Sequence, residues 1–581
     1  MAVFELILAM VAVLASWAAL VAVLAGLGLG LRRLLGLRDL DADGCLASFW
    51  LGLAFVVAWL QLWHLWLAIT PTALAALSLL GVCGLVWNCP ALWRYLRRTL
   101  SGRKAQLIAM AVLAVWLANR ATGPCRTFDT GLYHVNGVRW AREHPIVPGL
   151  GNLHGRLAFN NANLLVSAAL EVGPWYRRSN HLANGLIMLG LFAQCVLASR
   201  RMLDRDHARR TAAAFDVLLT TAAVLLAVHS WISSHATDLP VAAVTFVAAS
   251  RLFRWMLGVD PRPRERSFDV VFIVAMLSLS VCLKVSVAVF ALAGCVVIGA
   301  LWLVEARREG RPVMPTLLAA ATAAILLIGP WMARGVILSG YPAFPLTLGA
   351  VNVDWRVPEG LARQHRLVIG SFARQTSGVG GGWGWIGPWL RRADRELILP
   401  VALTALSGVA VAILGRRKSR PPGRDPRPWL ILLPPLAGLA YWFFTAPAVR
   451  FGFFSLWILA AGAAALAFGA LAAGASRRRL ATVLVCGLLL AACNVKKGFL
   501  GPGADHGFHP SQTEKMTTYV TRFGLLLHVP VKPNKPCWDA PLPCTPYPKP
   551  YLRLRRKGDL RSGFVLDPPQ PQQYVTNRVT G

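Results

Sequence analysis

The chain has 581 residues, 56% of them apolar and only 15% charged, with 22 tryptophans and a formal net charge of +34. A soluble multidomain protein of this length carries far more charge, so the composition excludes that class and points to an all-α, polytopic membrane protein. The net charge invites a nucleic-acid reading, but half of the 60 Lys and Arg residues fall in short loops that alternate along the chain. That is the positive-inside pattern. With no basic-aromatic module beside them, these residues report topology and contact with membrane lipid, and exclude nucleic acid as a partner.

Apolar runs between the basic loops predict about 14 transmembrane helices, at about 3–31, 46–69, 72–93, 105–119, 181–199, 211–230, 238–256, 268–284, 286–304, 315–333, 395–414, 429–446, 450–474 and 478–494. The first run is too long for a signal-peptide h-region and has no basic n-region, so it reads as a span with an external N-terminus. Both termini then lie outside, and the basic loops at 32–38, 94–104, 200–210, 251–266, 307–311, 416–427 and 477–479 lie inside. The stretch 159–174 is apolar but cannot be a span without reversing that alternation. It reads as an interfacial or re-entrant helix, with Arg177 and Arg178 near headgroups.

Three units follow: extra transmembrane helices over 1–104, a core over 105–494 with external loops at 119–180 and 335–396, and an external Pro-rich tail over 495–581. Loops this long in a compact bundle are more often functional than idle. The tail is too sparse in apolar residues for an independent domain and is expected to lie over the external face. Its Cys537 and Cys544 stand in CWDAPLPC; a disulfide is permitted if the tail is exported, and two free thiols are the alternative.

Ionisable residues near a bilayer are costly and mark sites or pathways, and several are expected at the external face. Asp129, in FDTGLYHVNGVRW, is either a carboxyl with a raised pKa able to act as general base or a helix cap. Tyr133 and His134 flank it. HGRLAFNNAN contributes His154, Arg156, Asn160 and Asn161 where the chain re-enters the membrane, to line a polar cleft or form an ordinary loop. Asp238 precedes Pro240 at a helix start, an ordinary capping position, and becomes functional only if it faces Asp129. His235 is a weak metal candidate.

Lys284 separates two apolar runs too long together for one helix, and so sits in a tight turn where it snorkels or meets a lipid phosphate. Arg334 ends one span and Arg450 opens another, both where positive-inside bias predicts few cations. Arginine grips phosphate through a planar fork, so Lys284, Arg334 and Arg450 make a phosphate or pyrophosphate clamp, or else three separate headgroup anchors. Trp383, Trp385 and Trp389, in the Gly- and Trp-rich part of the second loop, are placed to cover the site and stack on sugar rings, or to form an interfacial belt. P-loop and HExxH motifs are absent, which argues against P-loop nucleotide and metalloprotease chemistry.

An external loop bearing an Asp after an inside-to-outside helix, followed by interfacial helices, resembles the GT-C superfamily of membrane glycosyltransferases. FDTGLYH, HGRLAFN, LSGYPAFP and CWDAPLPCTPYP look closer still to an uncharacterised family of bacterial multi-pass membrane proteins with the same layout. The resemblance runs from about 105 to 564. It implies a sugar donor carried on polyprenyl phosphate or diphosphate, a glycan, lipid or protein acceptor, and chemistry at the external leaflet of the bacterial cytoplasmic membrane. Asp129 matches the acid that activates the acceptor, and Asp238 a second acidic position. The basic trio suits the donor phosphate by location. Thr130 stands where the common Asp-Glu pair has its second acid, so metal dependence stays open, a divalent metal ion being one option. The competing readings are a transporter or flippase for a lipid-linked or anionic solute, a surface-polysaccharide polymerase or ligase, and a non-catalytic scaffold.

Overall fold

A computed structural model describes residues 2–259, 262–375, 382–417, 426–471, 507–508 and 512–567. It is mostly helical. The N-terminal helices are α1 (Ala2–Leu34), α2 (Ala42–Trp66), α3 (Pro71–Trp87), α4 (Cys89–Gly102) and α5 (Lys104–Ala121). A loop region follows with three short helices, α6 (Val135–Glu143), α7 (Leu150–Leu153) and α8 (Asn163–Ala169). The bundle continues with α9 (Ala183–Arg201), α10 (His207–Val228), α11 (Asp238–Met256), α12 (Pro263–Leu283), α13 (Ala288–Arg308) and α14 (Met314–Ser339). The second loop holds α15 (Glu359–Arg374) and α16 (Ile386–Arg391), before α17 (Arg395–Arg417), α18 (Leu433–Thr445) and α19 (Val449–Leu471).

Among the described residues, 11 helices are long and apolar enough to cross a membrane, and each coincides with an expected span. The chain is therefore a multi-pass membrane protein. The expected total of about 14 is not reached, for three reasons. The run at 72–93 is not one helix: α3 and α4 meet at a bend of 73°. Pro90, the second residue of α4, has no amide hydrogen to continue the preceding turn, and Asn88 folds its side chain back onto the Gly84 carbonyl at 2.8 Å. α5 forms as a helix packed on α1 and α9 but falls short of the length and apolarity of the others. The expected span at 478–494 lies outside the described residues.

Helix contacts in the N-terminal part depend on missing side chains. A Cβ on Gly26 of α1 would stand 2.0 Å from the Gly81 carbonyl oxygen of α3, and one on Gly52 of α2 1.9 Å from that of Leu24. Small residues of this kind let membrane helices approach closely where no hydrophobic drive exists between them. The main core runs through α1, α2, α8 to α14 and α19. α8 is buried along its whole length in that core, so this part of the 159–174 stretch packs on protein on every side. The half-exposed Arg177 meets the Asp539 carboxylate through its Nε at 2.8 Å.

The tail departs from an all-α fold. It forms two antiparallel hairpins, β1 (Met516–Val520) with β2 (Leu526–Pro530) and β3 (Leu552–Leu554) with β4 (Phe564–Leu566). Met516 faces Pro530 across the first, and Leu552 faces Leu566 across the second. Apart from a small cluster around Cys537, Ala540 and Cys544, the buried tail residues described pack on the rest of the chain. Leu527, Leu552 and Phe564 join Trp140, Leu150, Leu153, Leu338, Tyr341 and Leu361 in a second core, so tail, both long loops and the end of α14 form one cap. Two backbone bonds stitch it: Phe564 N–H to Pro148 O at 2.9 Å and Gly149 N–H to Ile337 O at 2.8 Å. Cys537 and Cys544 are joined as a disulfide.

Candidate functional site

Helix direction explains how the charges gather. α11 begins at Asp238, α12 ends just before Lys284, α14 carries Arg334 in its last two turns, and α19 opens with Arg450 beside Val449. The odd and even partners thus present those residues at one end of the bundle, under the cap that holds Asp129. A chain alternating across a membrane returns every second helix terminus to the same side.

Asp129 is the hub. Its Oδ1 accepts from Arg156 Nη1 at 2.6 Å and its Oδ2 from Arg450 Nη1 at 3.0 Å. It makes no capping bond with its side chain, so the capping alternative is not realised. The turn it opens, Thr130–His134, is a π-helix, a wide turn that recurs at functional sites. Burial by itself would raise the Asp129 carboxyl, but Arg450 and Arg156 outweigh it and hold it below the ordinary carboxylate value. The raised value expected of a resting general base is therefore corrected: two guanidiniums keep this acid ionised and its lone pairs engaged.

The second pair is Asp238 with Lys284. Phe451 ties the two pairs together, since the Lys284 ammonium lies 4.3 Å from its ring centroid and the Arg450 guanidinium 5.0 Å. A cation stacked on an aromatic face keeps part of its solvation while out of water. Lys284 is thus neutralised by a carboxylate rather than left for a lipid phosphate.

Arg334 stands apart. It is 5% exposed, and among the described residues its partners are neutral. Its Nε donates to Asn160 Oδ1 at 3.2 Å and its Nη1 to His64 Nδ1 at 2.5 Å. His64 Nε2 faces the His144 carbonyl at 3.1 Å; as the donor there, it leaves Nδ1 as the acceptor that Arg334 needs. Asn160 is locked in turn by reciprocal bonds with Trp331, Nδ2 to the Trp331 carbonyl at 2.5 Å and Trp331 Nε1 to its own carbonyl at 2.8 Å. Its left-handed backbone, φ +52°, suits an asparagine.

Two hollows flank Asp129. A chamber of about 40 Å³ is lined by Arg334, Arg156, Asn160, Asn161, Tyr133 and His64; that volume admits water and no sugar. A groove of about 540 Å³ lies between α15 and the start of α19, lined by Phe372, Trp389, Arg392, Asp394, Glu396 and Arg450 among others. That is the size range of ligand pockets. Arg156 faces the first and Arg450 the second, and Asp129 bonds both. Lys284, Arg334 and Arg450 therefore do not share one hollow, and the three-cation clamp divides into a neutralised lysine, a chamber arginine and a groove arginine.

The other expected binding residues divide as well. Tyr133 lines the chamber, with the Arg156 guanidinium 5.8 Å from its ring. His134 is buried against Thr130, Nδ1 to Oγ1 at 3.2 Å, and its Nε2 has no partner among the described residues. Burial pushes its imidazole down to about 4, against the pull of Asp129 and Asp238. His154 turns away from the chamber and stacks on Tyr547 of the tail at 5.7 Å. His235 bonds Ser167 at 3.1 Å. Among the described residues no three or more His, Cys, Asp or Glu side chains gather to hold a metal ion, and the two acids put forward, Asp129 and Asp238, each face cations.

The three tryptophans divide as well, and Trp389 lines the groove. Trp385 and Trp389 are buried together with Trp442 in a local aromatic core, and Trp389 Nε1 donates to the Pro447 carbonyl at 2.8 Å. Trp383 alone of the three is exposed. Sequence reasoning missed His64, Phe451 and Trp538. A lone histidine in the apolar run of α2 is a visible oddity, but nothing in the sequence pairs it with Arg334.

A family model described as a domain of unknown function (DUF8201) matches residues 10–457. The chain belongs to the DUF8201 family. No curated protein and no solved structure matches it. The part matched by DUF8201 contains Asp129, Arg156, Asp238, Lys284, Arg334 and Arg450, and the tail lies beyond it.

Proposed function

We propose that this DUF8201 protein is a membrane glycosyltransferase of GT-C type, moving a sugar from a polyprenyl-phosphate or diphosphate donor to a cell-envelope acceptor at the external leaflet of the bacterial cytoplasmic membrane. One observation carries the reading: Arg450 both holds Asp129 and lines the ligand-sized groove. Four cations, Arg156, Lys284, Arg334 and Arg450, stand around two carboxylates, Asp129 and Asp238. An excess of positive charge that is half-buried, and at Arg334 buried, is offset most readily by an anionic ligand. The disulfide in the cap supports an oxidising compartment at this end.

The chemistry follows from competition for Arg450. A donor phosphate entering the groove offers the guanidinium a bidentate partner stronger than one carboxylate oxygen. Arg450 turns to it, Asp129 Oδ2 is released, and the carboxyl becomes a better hydrogen-bond acceptor for an acceptor hydroxyl. That hydroxyl oxygen attacks the anomeric carbon, the bond from that carbon to the phosphate oxygen breaks, its electron pair stays on the phosphate, and the hydroxyl proton passes to Asp129. Arg450 then meets the charge that grows on the leaving group, where fixed electrostatics lowers a barrier most.

The protein in lipid nanodiscs, with a polyprenyl-phosphate sugar, tests this. Arg450→Met weakens binding of the lipid phosphate about 100-fold. Asp129→Asn binds it as tightly as the parent or more tightly, and transfers nothing. Full transfer by Asp129→Asn, or no saturable binding of the lipid phosphate by the parent protein, refutes the assignment. Movement of the lipid across the bilayer without transfer makes the protein a carrier.

A further inference from the structure

The cap contains a ring of chain closed by the Cys537–Cys544 disulfide, and it sits on the Asp129 turn itself. Trp538 is its point of contact. The indole fills the notch at Gly131, where a Cβ would lie 2.5 Å from a ring atom. The Trp538 N–H donates to the Gly131 carbonyl at 2.8 Å, and the Trp538 carbonyl accepts from Asn136 Nδ2 at 2.8 Å. The ring is therefore bonded inside the π-helical turn and again just past its end. Arg139 continues the contact, donating to the Ala540 carbonyl at 2.8 Å. Before the turn, Gln512 of the tail donates to the Cys125 carbonyl at 2.8 Å.

The ring has its own support. The His528 N–H on β2 donates to the Pro543 carbonyl at 2.9 Å, and the Thr545 N–H returns to the His528 carbonyl at 3.1 Å. Trp538 is 7% exposed and holds a left-handed backbone, φ +47°, which a bulky residue adopts only where its surroundings over-determine it. A π-helical turn is less stable than an α-helical one. Without an outside partner, Thr130–His134 would relax toward the tighter form, rotating Asp129 and Tyr133 against Arg156 and Arg450.

We propose that the tail's disulfide ring is the positioning element of the Asp129 turn, with Trp538 its key residue and Gly131 and Asn136 its receptors. The proposal rests on the reading of Asp129 as the functional acid, but the geometry it asserts is measurable without any reaction. Trp538 touches no reacting group in this scheme; it acts through the turn.

Hydrogen–deuterium exchange of the full chain in nanodiscs is the test. Amide exchange across 128–136 should rise about tenfold or more in Trp538→Ala, and in the Cys537→Ser/Cys544→Ser double variant, with exchange in α12 and α14 unchanged. Trp538→Phe should restore most of the protection. Gly131→Ala, which adds one methyl group and displaces the indole, should reproduce the loss in a chain whose tail is intact. In the transfer assay, Trp538→Ala should lower kcat about tenfold with KM held within about twofold, the signature of a misaligned acid rather than a lost substrate contact. Unchanged exchange at 128–136 in both Trp538→Ala and Gly131→Ala overturns the positioning role, whatever the activity. The expected exchange pattern in a protein that transfers no sugar overturns the glycosyltransferase reading and leaves the positioning role standing.

Discussion

The two ends of the bundle are both rich in ion pairs, and they are assembled differently. At the end carrying the basic loops, Asp43 lies between Arg201 at 2.6 Å and Arg254 at 2.7 Å. Asp269 meets Arg251 at 2.6 Å, and Glu305 holds Arg266 at 2.5 Å and Arg311 at 2.8 Å. All but the local Arg311–Glu305 pair join neighbouring helices, and each cation sits on a carboxylate. At the other end Asp129 and Asp238 are paired too, but Arg334 is buried among neutral partners and Arg450 opens onto a groove. Ion pairs that only fasten helices need no cavity and no unmatched charge. The second end has both, but apart: Arg334, matched by no carboxylate among the described residues, faces the small chamber, and Arg450, paired with Asp129, lines the groove.

Removing one member of each cluster is the sharpest way to break that contrast. Asp43→Ala leaves two facing guanidiniums without a counter-charge and should cost about 3 kcal/mol, read as a fall in unfolding temperature in detergent, with binding of lipid phosphate untouched. Arg334→Met removes a buried charge that no carboxylate among the described residues matches, so unfolding stability should stay within about 1 kcal/mol of the parent. A large loss there would mean that Arg334 is a fastening residue like Arg254.

The ends should also differ in pH response. Burial pushes His134 down to about 4 and His235 to about 3, from an ordinary 6.5. The unfolded chain then binds protons that the folded one does not, so the folded protein is most stable above about pH 6.5 and loses stability as pH falls from there toward about 4. His134→Gln should flatten part of that loss in a thermal-denaturation series, whereas Asp43→Ala should leave its slope unchanged. The smallest effect belongs to the exposed pair of Arg363 with Glu359 at 2.7 Å on α15. Arg363→Ala should change stability by less than about 0.5 kcal/mol, and a larger change would show that α15 carries more of the cap than its solvent face suggests.

Hydropathy and helix length are local properties, and they were readable residue by residue. The spans at 238–256 and 268–284 correspond to α11 and α12, and the basic loops fall at their far ends. The helix termini that carry Asp238, Lys284, Arg334 and Arg450 could be assigned to one side because alternation across a membrane allows no other outcome. The break at Pro90 was legible in principle, from a proline in the middle of an apolar run. What packs against what was not legible. The order of apolar residues does not say that Asp129 meets an arginine 321 positions later, that Lys284 is silenced by Asp238, or that Trp385 and Trp389 face inward.

The sequence by itself determined a basic, multi-pass helical protein with its unusual charges at one end, because solvation in lipid acts on each segment separately. Tertiary structure alone decided that Asp238 and Lys284 pair, that Arg334 faces a chamber and Arg450 a groove, and that a ring from the tail seats the Asp129 turn. Those contacts join segments hundreds of residues apart, and only the packing of whole helices and the cap fixes the distances between them.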